Sequence, residues 1–476
     1  MTSFVEAVKN QSGKVIKRTE NGMKARATSA SPVLDLFGLI GSARGTDITK
    51  QFVTSFVENA DLTLRMLQWA RDIREGAGER ATFRNLLSAL ESTDPTLAGK
   101  LMHKIPALGR WDDLFTYKDP INRNQAFALI AEALQAKNGL AAKWMPRKGP
   151  VAVELTRYLG LSPKAYRKLI VGLTNVVETQ MCAKEWDAIN FSHVPSVASA
   201  RYQKAFGRNA KESYSAYIAE LKKPQAERDP KVKINAGAVY PYDVVKSVVK
   251  GNKAVADEQW KALPNYIGDA KVLPMVDVSA SMGSLWYTSA SQLQPIDIAV
   301  SLGLYCADKN TGVFKDVFLT FSSKPKMEYV KGTLSQKMEQ MSKADWQMGT
   351  NLHAAFDEIL KVAVKGKVSQ EDMPDMLLIL SDMQFDSCTK YDDTAVQMIK
   401  RKYKEAGYNV PKIVFWNLSM QGKENGNTPV KFDKNGTALV SGFSPSVMKS
   451  VLANDLEDYT PYNVMLKTLM NSRYDL

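Results

Sequence analysis

The stretch that most constrains this chain is Val272-Leu273-Pro274-Met275-Val276-Asp277-Val278-Ser279-Ala280-Ser281-Met282-Gly283, where an apolar run stops abruptly at Asp-x-Ser-x-Ser. A run of this length with branched residues predicts a buried strand. Asp277, Ser279 and Ser281 then fall on the loop leaving its C-terminal end, the edge at which an open α/β sheet binds ligands. One carboxylate and two hydroxyls are hard oxygen ligands, suited to Mg2+ or Mn2+ rather than to a soft metal. The same residue types crowd ordinary turns, so this loop by itself leaves a plain helix-capping role open.

Two later segments narrow the choice. In Trp346-Gln347-Met348-Gly349-Thr350-Asn351-Leu352-His353, Gly-Thr-Asn opens an amphipathic helix running from Leu352 to Val364. Met376-Leu377-Leu378-Ile379-Leu380-Ser381-Asp382 is a second apolar strand ending in an aspartate. Three oxygen-bearing loops in this order resemble the von Willebrand factor A domain and its metal-ion-dependent adhesion site. The resemblance implies a doubly wound, Rossmann-like domain in which Asp277, Ser279, Ser281, Thr350 and Asp382 hold Mg2+ (or Mn2+ or Ca2+). With only one or two carboxylates on the ion, it stays electrophilic, and an open octahedral position is left for a partner's carboxylate or phosphate oxygen. The alternative is a nucleotide-type sheet whose loop residues only cap helices.

At 476 residues the chain is too long for one core, and two or three domains are expected. No run of eighteen apolar residues exists, so no membrane span is expected. Met1 to Lys9 lacks the apolar segment of a signal peptide. Cys182, Cys306 and Cys388 are scattered and odd in number, which fits a reducing compartment, and a cytoplasmic location is expected. Three histidines and no Cys-x-x-Cys speak against zinc.

Charge divides the chain. Positions 1–270 hold 40 Lys and Arg against 27 Asp and Glu, a net of +13, whereas positions 271–476 hold 23 of each. The whole basic excess therefore precedes the Asp-x-Ser-x-Ser loop, which suggests a polyanion partner for the first part. Excess lysine spread for solubility is the competing explanation.

Met1 to Arg44 is polar and basic (Lys9, Lys14, Lys17, Arg18, Lys24, Arg26) and is expected to be a partly irregular arm. Beyond it, apolar residues at helical spacing predict short helices joined by short turns. Asp47 and Asp61 are candidate caps, and glycines stop the second helix near Gly76. Further helices are expected from Phe83, after Asp94-Pro95, over Asn124 to Lys137, after Ser162-Pro163 and from Tyr240 towards Trp260. The expected fold is thus a multidomain α plus α/β chain. An N-terminal arm (1–44) leads into an α-helical array (45–268), followed by the metal-site domain (269–476).

Arg71-Asp72-Ile73-Arg74-Glu75-Gly76-Ala77-Gly78-Glu79-Arg80 and Gly109-Arg110-Trp111-Asp112-Asp113-Leu114 are distinctive. With the domain order, they resemble the TROVE module of the Ro autoantigen and of telomerase- and vault-associated proteins. In that family a ring of HEAT-like helical hairpins precedes a von Willebrand A domain. Ala141–Trp144, Ser381–Asp386 and Val414–Leu418 bring the chain nearest to a branch with plant and viral members. The resemblance implies a ribonucleoprotein component that binds RNA, structured or single-stranded and of the small non-coding kind.

The candidate RNA contacts are read from charge and aromatic interleaving. They are Arg71, Arg74, Arg80, Arg84, Arg110, the turn of Lys143, Trp144, Arg147 and Lys148, then His193, Arg201, Lys204 and Arg208. Trp144 between Lys143 and Arg147 suits base stacking beside a phosphate contact, or packing beneath a loop. Sign alternation from Arg71 to Glu75 suits internal ion pairs as well as phosphates. His193 alone fits a structural hydrogen bond.

In the second domain, strands are expected at Val272–Val278, Asp316–Phe321, Met376–Leu380, Lys412–Asn417 and Thr437–Val440, with Lys326–Val330 as an edge. The last helical part begins at Ser444, and a short polar tail is expected after Asp455. There is no phosphate-binding Gly-x-x-x-x-Gly-Lys loop, no Gly-x-Ser-x-Gly elbow and no His-Glu-x-x-His. The leading expectation is a non-catalytic RNA-binding scaffold that recruits a protein partner through its metal site, without DNA sequence readout. The alternatives are a metal-dependent protein-interaction module with no RNA role and a Mg2+-dependent phosphoryl-transfer enzyme.

Overall fold

A computed structural model describes residues 16–224, 226–237, 239–283, 293–321, 323–342, 349, 351–386, 394–419, 429–452 and 458–476. Six strands make the main sheet: β3 (Val272–Asp277), β4 (Val317–Phe321), β5 (Lys326–Tyr329), β6 (Met376–Ser381), β7 (Lys412–Asn417) and β8 (Thr437–Ser441). Their order is β5-β4-β3-β6-β7-β8. All pairs are parallel except β4 with β5. β3, β6 and β8 are buried at every position, so apolar runs without alternation suit them, as parallel strands covered on both faces require. β5 is the antiparallel edge and is largely exposed. Pro274 pairs only towards β6, because pairing with β4 begins at Met275, so its missing N–H is tolerated in an interior strand.

From β3 the chain runs outward to β4 through the helix Pro295–Lys309, then returns to β6 on the other side of β3. The carboxyl ends of β3 and β6 therefore lie side by side at the reversal, where doubly wound sheets place ligands. The helix Pro295–Lys309 sits tightly on β3 because Gly303 lacks a side chain. A Cβ there would lie 2.4 Å from Val276 Cγ2.

The preceding region is a succession of short helices from Thr49–Glu58 to Lys253–Lys261. Asn59, Asp94, Asp119, Asn138 and Ser162 each accept a backbone N–H as N-caps. Proline occupies the first turn at Pro95, Pro120, Pro150, Pro163 and Pro241. Asn59, rather than the expected Asp61, caps Ala60–Arg71, since its side chain reaches Leu62 N at 3.0 Å.

Two expectations need correction. First, the expected N-terminal arm is structured from Ile16 onward. Ile16–Arg18 (β1) pairs with Lys24–Arg26 (β2) as a hairpin, and Pro32–Ile40 is a helix with Leu34, Leu36, Phe37 and Ile40 fully buried. That helix packs on β8, where Ser441 Oγ donates to Phe37 O (2.8 Å) and accepts Gly41 N (3.1 Å). Packing is continuous across positions 44 and 268. One hydrophobic core runs from Met23 to Tyr474, with a smaller second cluster between Val177 and Val255. Second, the expected polar tail contains the helix Pro461–Leu469, which buries Val464, Met465 and Leu469, and beyond it the buried Tyr474. Among the described residues no helix is long and apolar enough to cross a membrane. Cys182 is exposed and Cys306 buried, and Cys388 lies outside the described residues.

Candidate functional site

Asp277 closes β3 and is fully buried. Its Oδ1 accepts the Ser279 N–H at 2.9 Å, and its Oδ2 accepts the Ser381 hydroxyl at 2.5 Å. Ser279 Oγ lies 3.1 Å from Ser281 Oγ, and the Ser281 hydroxyl in turn bonds the Asp382 carboxylate. Asp382, on the loop leaving β6, also accepts Gln384 N at 3.2 Å. Four of the five residues expected to hold a metal are thus joined by one run of hydrogen bonds across the ends of β3 and β6. The fifth, Thr350, lies outside the described residues. Its neighbour Asn351 caps the helix Leu352–Gly366, and Gly349 packs against Ser323 beyond the end of β4.

Burial and the nearby Asp382 charge push the Asp277 carboxyl up to about 7, against the opposing bonds from Ser381 and Ser279. Burial also raises the Asp382 carboxyl, and the Glu20 charge adds to that rise. Among the described residues neither aspartate has a cationic ion-pair partner. Two carboxylates held together without a counter-charge, ringed by hydroxyls, are a donor set that fits a hard divalent cation. Among the described residues no three His, Cys, Asp or Glu converge as a metal cluster.

Sequence reasoning missed Ser381, whose signal was a polar residue closing an apolar strand. It also missed the hairpin beside the site, although Asn21-Gly22 is a strong hairpin signal. The hairpin turn docks on the loop after β6. Thr19 Oγ1 donates to Phe385 O, Glu20 N to Gln384 Oε1 (2.9 Å) and Asn21 Nδ2 to Gln384 O (2.7 Å).

The candidate RNA residues separate into two groups. Arg71 is buried, with its Nε and Nη2 each 2.7 Å from Asp113 Oδ2. Arg84 holds Asp113 Oδ1 (2.7 Å) and Asp112 Oδ2 (3.0 Å). Arg110 grips Asp112 with two N–H groups, and its guanidinium lies 3.8 Å from the centre of the Trp144 ring. Arg74 donates to Ala107 O. Arg71 is therefore removed from any RNA surface, Arg84 and Arg110 have their charge matched internally, and one face of Trp144 is already covered. Gly109 makes the buried pair possible, since a Cβ there would lie 2.6 Å from both Arg71 Nε and Asp113 Oδ2.

The other group faces solvent. Arg80, Arg147, Lys148, His193, Arg201, Lys204 and Arg208 are exposed. Among the described residues none of them has a carboxylate ion-pair partner. Lys143 is half-buried, 5.6 Å from the Trp144 ring centre.

Comparison with known proteins places these features in context. Residues 271–469 match a domain of unknown function, DUF7788, and residues 128–272 match a second, DUF2828. The uncharacterized protein L728 of Acanthamoeba polyphaga mimivirus is 28% identical, an alignment covering 95% of this chain and 86% of that protein. The crystal structure of the Ro (RSR) protein of Deinococcus radiodurans superposes with a TM-score of 0.50 at 12% identity, over 93% of this chain and all of that one. The likeness to a Ro protein is one of fold, with helices first and the α/β unit after them.

Proposed function

We propose that this chain is a non-catalytic RNA-binding scaffold whose helical region holds the RNA and whose α/β unit recruits a protein partner through a divalent cation. The observation that carries the reading is the division of charge on a Ro-like fold. The net +13 lies wholly before residue 271, and there Arg80, Arg147, Lys148, Arg201, Lys204 and Arg208 are exposed with no carboxylate ion-pair partner among the described residues. Such a surface gains affinity for a polyanion by releasing its counterions. At the second site, Asp277, Ser279, Ser281 and Asp382 would hold Mg2+, with Thr350 as a further ligand. A bound cation there would accept a carboxylate oxygen from a partner. Ser381 orients Asp277, and its hydroxyl keeps one carboxylate oxygen turned into the protein.

Fluorescence anisotropy with a mixed-sequence RNA across a salt series tests the first half. Tight binding at low salt that falls steeply with salt is expected. No binding even at low salt would sink the RNA reading. For the second half, calorimetric titration with Mg2+ is expected to show one site in the native protein and none in Asp277→Ala. Equal binding by both would remove the metal assignment. RNA inertness together with Mg2+-dependent capture of a protein partner would favour a purely protein-binding module, the reading to which the carboxylate–hydroxyl site points by itself.

A further inference from the structure

The basic excess is concentrated. Between Lys137 and Leu173 the sequence carries eight Lys and Arg against one acidic residue, Glu154, a net of +7 out of the chain's +13. Glu154 is already held by Arg123, through Nη2 at 2.7 Å. Arg147, Lys148, Lys164, Arg167 and Lys168 are all exposed, and among the described residues none of them has an ion-pair partner. This contrasts with Arg71, Arg84 and Arg110, each of which is ion-paired to Asp112 or Asp113.

The five cations lie on two elements joined to each other. Helix Pro163–Leu173 buries Tyr166 and Ile170 and turns Lys164, Arg167, Lys168 and Val171 outward, at the three- and four-residue spacing of one helix face. Arg147 and Lys148 sit on the turn between helices Gly139–Trp144 and Pro150–Tyr158. That turn is fastened to helix Pro163–Leu173, because Tyr166 Oη donates to Pro146 O at 2.9 Å. Arg147 lies near enough to Tyr166 to oppose the rise that burial gives its phenol.

We infer that the turn Met145–Gly149 and the exposed face of helix Pro163–Leu173 form the RNA-docking surface, and that it grips the phosphate backbone rather than reading bases. The inference rests on the RNA-binding reading above and narrows it to five side chains, three of them outside the contacts expected from sequence. Backbone recognition follows from the aromatic inventory of the patch. Trp144 is capped by Arg110, Tyr166 is buried, and Tyr158 leans edge-on against Phe127 at 5.5 Å. Ring faces for base stacking are therefore scarce, while unpaired cations are plentiful.

The test compares the full chain with two surface variants, R147Q/K148Q/K164Q/R167Q/K168Q and, as a control on exposed lysines of the α/β unit, K365Q/K367Q/K404Q. Five phosphate contacts to a single strand predict a log–log salt slope of about −3.5, or roughly a 100-fold loss of affinity between 50 and 200 mM salt. The five-site variant, with an unchanged near-UV circular dichroism spectrum, is expected to lose at least ~100-fold at low salt and most of that slope. The control is expected to stay within a few-fold of wild type. Oligo-U and oligo-A of equal length are expected to bind alike. If wild type binds no RNA at any salt, the RNA reading itself fails. If wild type binds and the five-site variant binds equally well, only this surface is wrong. Discrimination of more than ~30-fold between the homopolymers would overturn backbone recognition. Displacement of RNA by an equal charge of polyglutamate would reassign the surface to an acidic protein.

Discussion

Arg71 and Asp113 show how a single buried pair decides which cations remain for function. Asp113 is fully buried and serves Arg71, Arg84 and the Arg110 backbone N–H together. Asp113→Asn leaves Arg71 buried without its counter-charge and is expected to destabilise the fold by about 3–5 kcal/mol in urea unfolding. RNA affinity of the folded variant should be unchanged, and a stability loss below ~1 kcal/mol would contradict the structure. Glu79 supplies a pH signature. Burial pushes its carboxyl up to about 7, with Arg44 and Arg71 opposing the rise. Its folded pKa exceeds the unfolded value of 4.5, so its contribution to stability is complete below pH 4.5 and is lost as pH rises through 7. Glu79→Gln should flatten this loss, worth on the order of 2–3 kcal/mol, in thermal melts between pH 4.5 and 8. An unaltered pH profile would count against it. Sequence reasoning could not place Arg71 because its partner lies 42 residues away, across the Gly109 turn. Alternating signs from Arg71 to Glu75 fit two outcomes equally until that distant carboxylate is found.

At the level of elements, the sheet was the most legible part. β3 and β6 are buried on both faces, so their apolar runs had no other destination; β3 ends in Asp277, and Asp382 follows directly after the last residue of β6. The helix Pro32–Ile40 was hidden by its setting, a nine-residue apolar segment within a basic stretch. Its partner β8 is remote in sequence, and no local pattern announces a contact 400 residues apart. The basic patch was obscured differently, because a charge count over 270 residues averages a dense 37-residue stretch into its surroundings. Gly41 tests the junction between Pro32–Ile40 and β8. A Cβ there would lie 2.8 Å from Ser441 O and 2.9 Å from Gly442 N, both backbone atoms that yield little. Gly41→Ala is expected to lower stability by about 1–3 kcal/mol by overpacking. Gly172→Ala, with open space around its Cβ position, is a control expected to change little. Equal melting temperatures for the two variants would refute the close approach.

Across the whole molecule, the helical region rests on the α/β unit at both of its ends. Helix Pro32–Ile40 lies on β8, and helices Pro241–Val249 and Lys253–Lys261 pack against Pro295–Lys309 and Leu334–Ser342. The last residues fasten the arrangement. Arg473 and Tyr474 both bond the buried Asp72 carboxylate, and Gln68 Nε2 donates to Tyr474 O at 2.8 Å. Removing residues 471–476 strands Asp72 in the interior and exposes the pocket that Tyr474 fills. The expected outcome is a loss of about 3–5 kcal/mol and a lower melting temperature, read by calorimetry. Retention of the full melting temperature would show the clasp to be idle. Because one core spans both regions, far-UV circular dichroism and tryptophan fluorescence should change in a single transition.

The seat of helix Pro32–Ile40 also sets an order of events during synthesis. Leu34 and Phe37 leave the ribosome early, yet the strand that covers them follows some 400 residues later. At ~5–20 residues per second that interval is roughly 20–80 s. Trp69, 4.9 Å from the Phe37 ring, follows within seconds, but for that longer time the side of the helix that β8 covers has no native partner, so a helix made early is completed among the last, and a nascent chain of this kind is a natural client for a chaperone that shields it until β8 arrives.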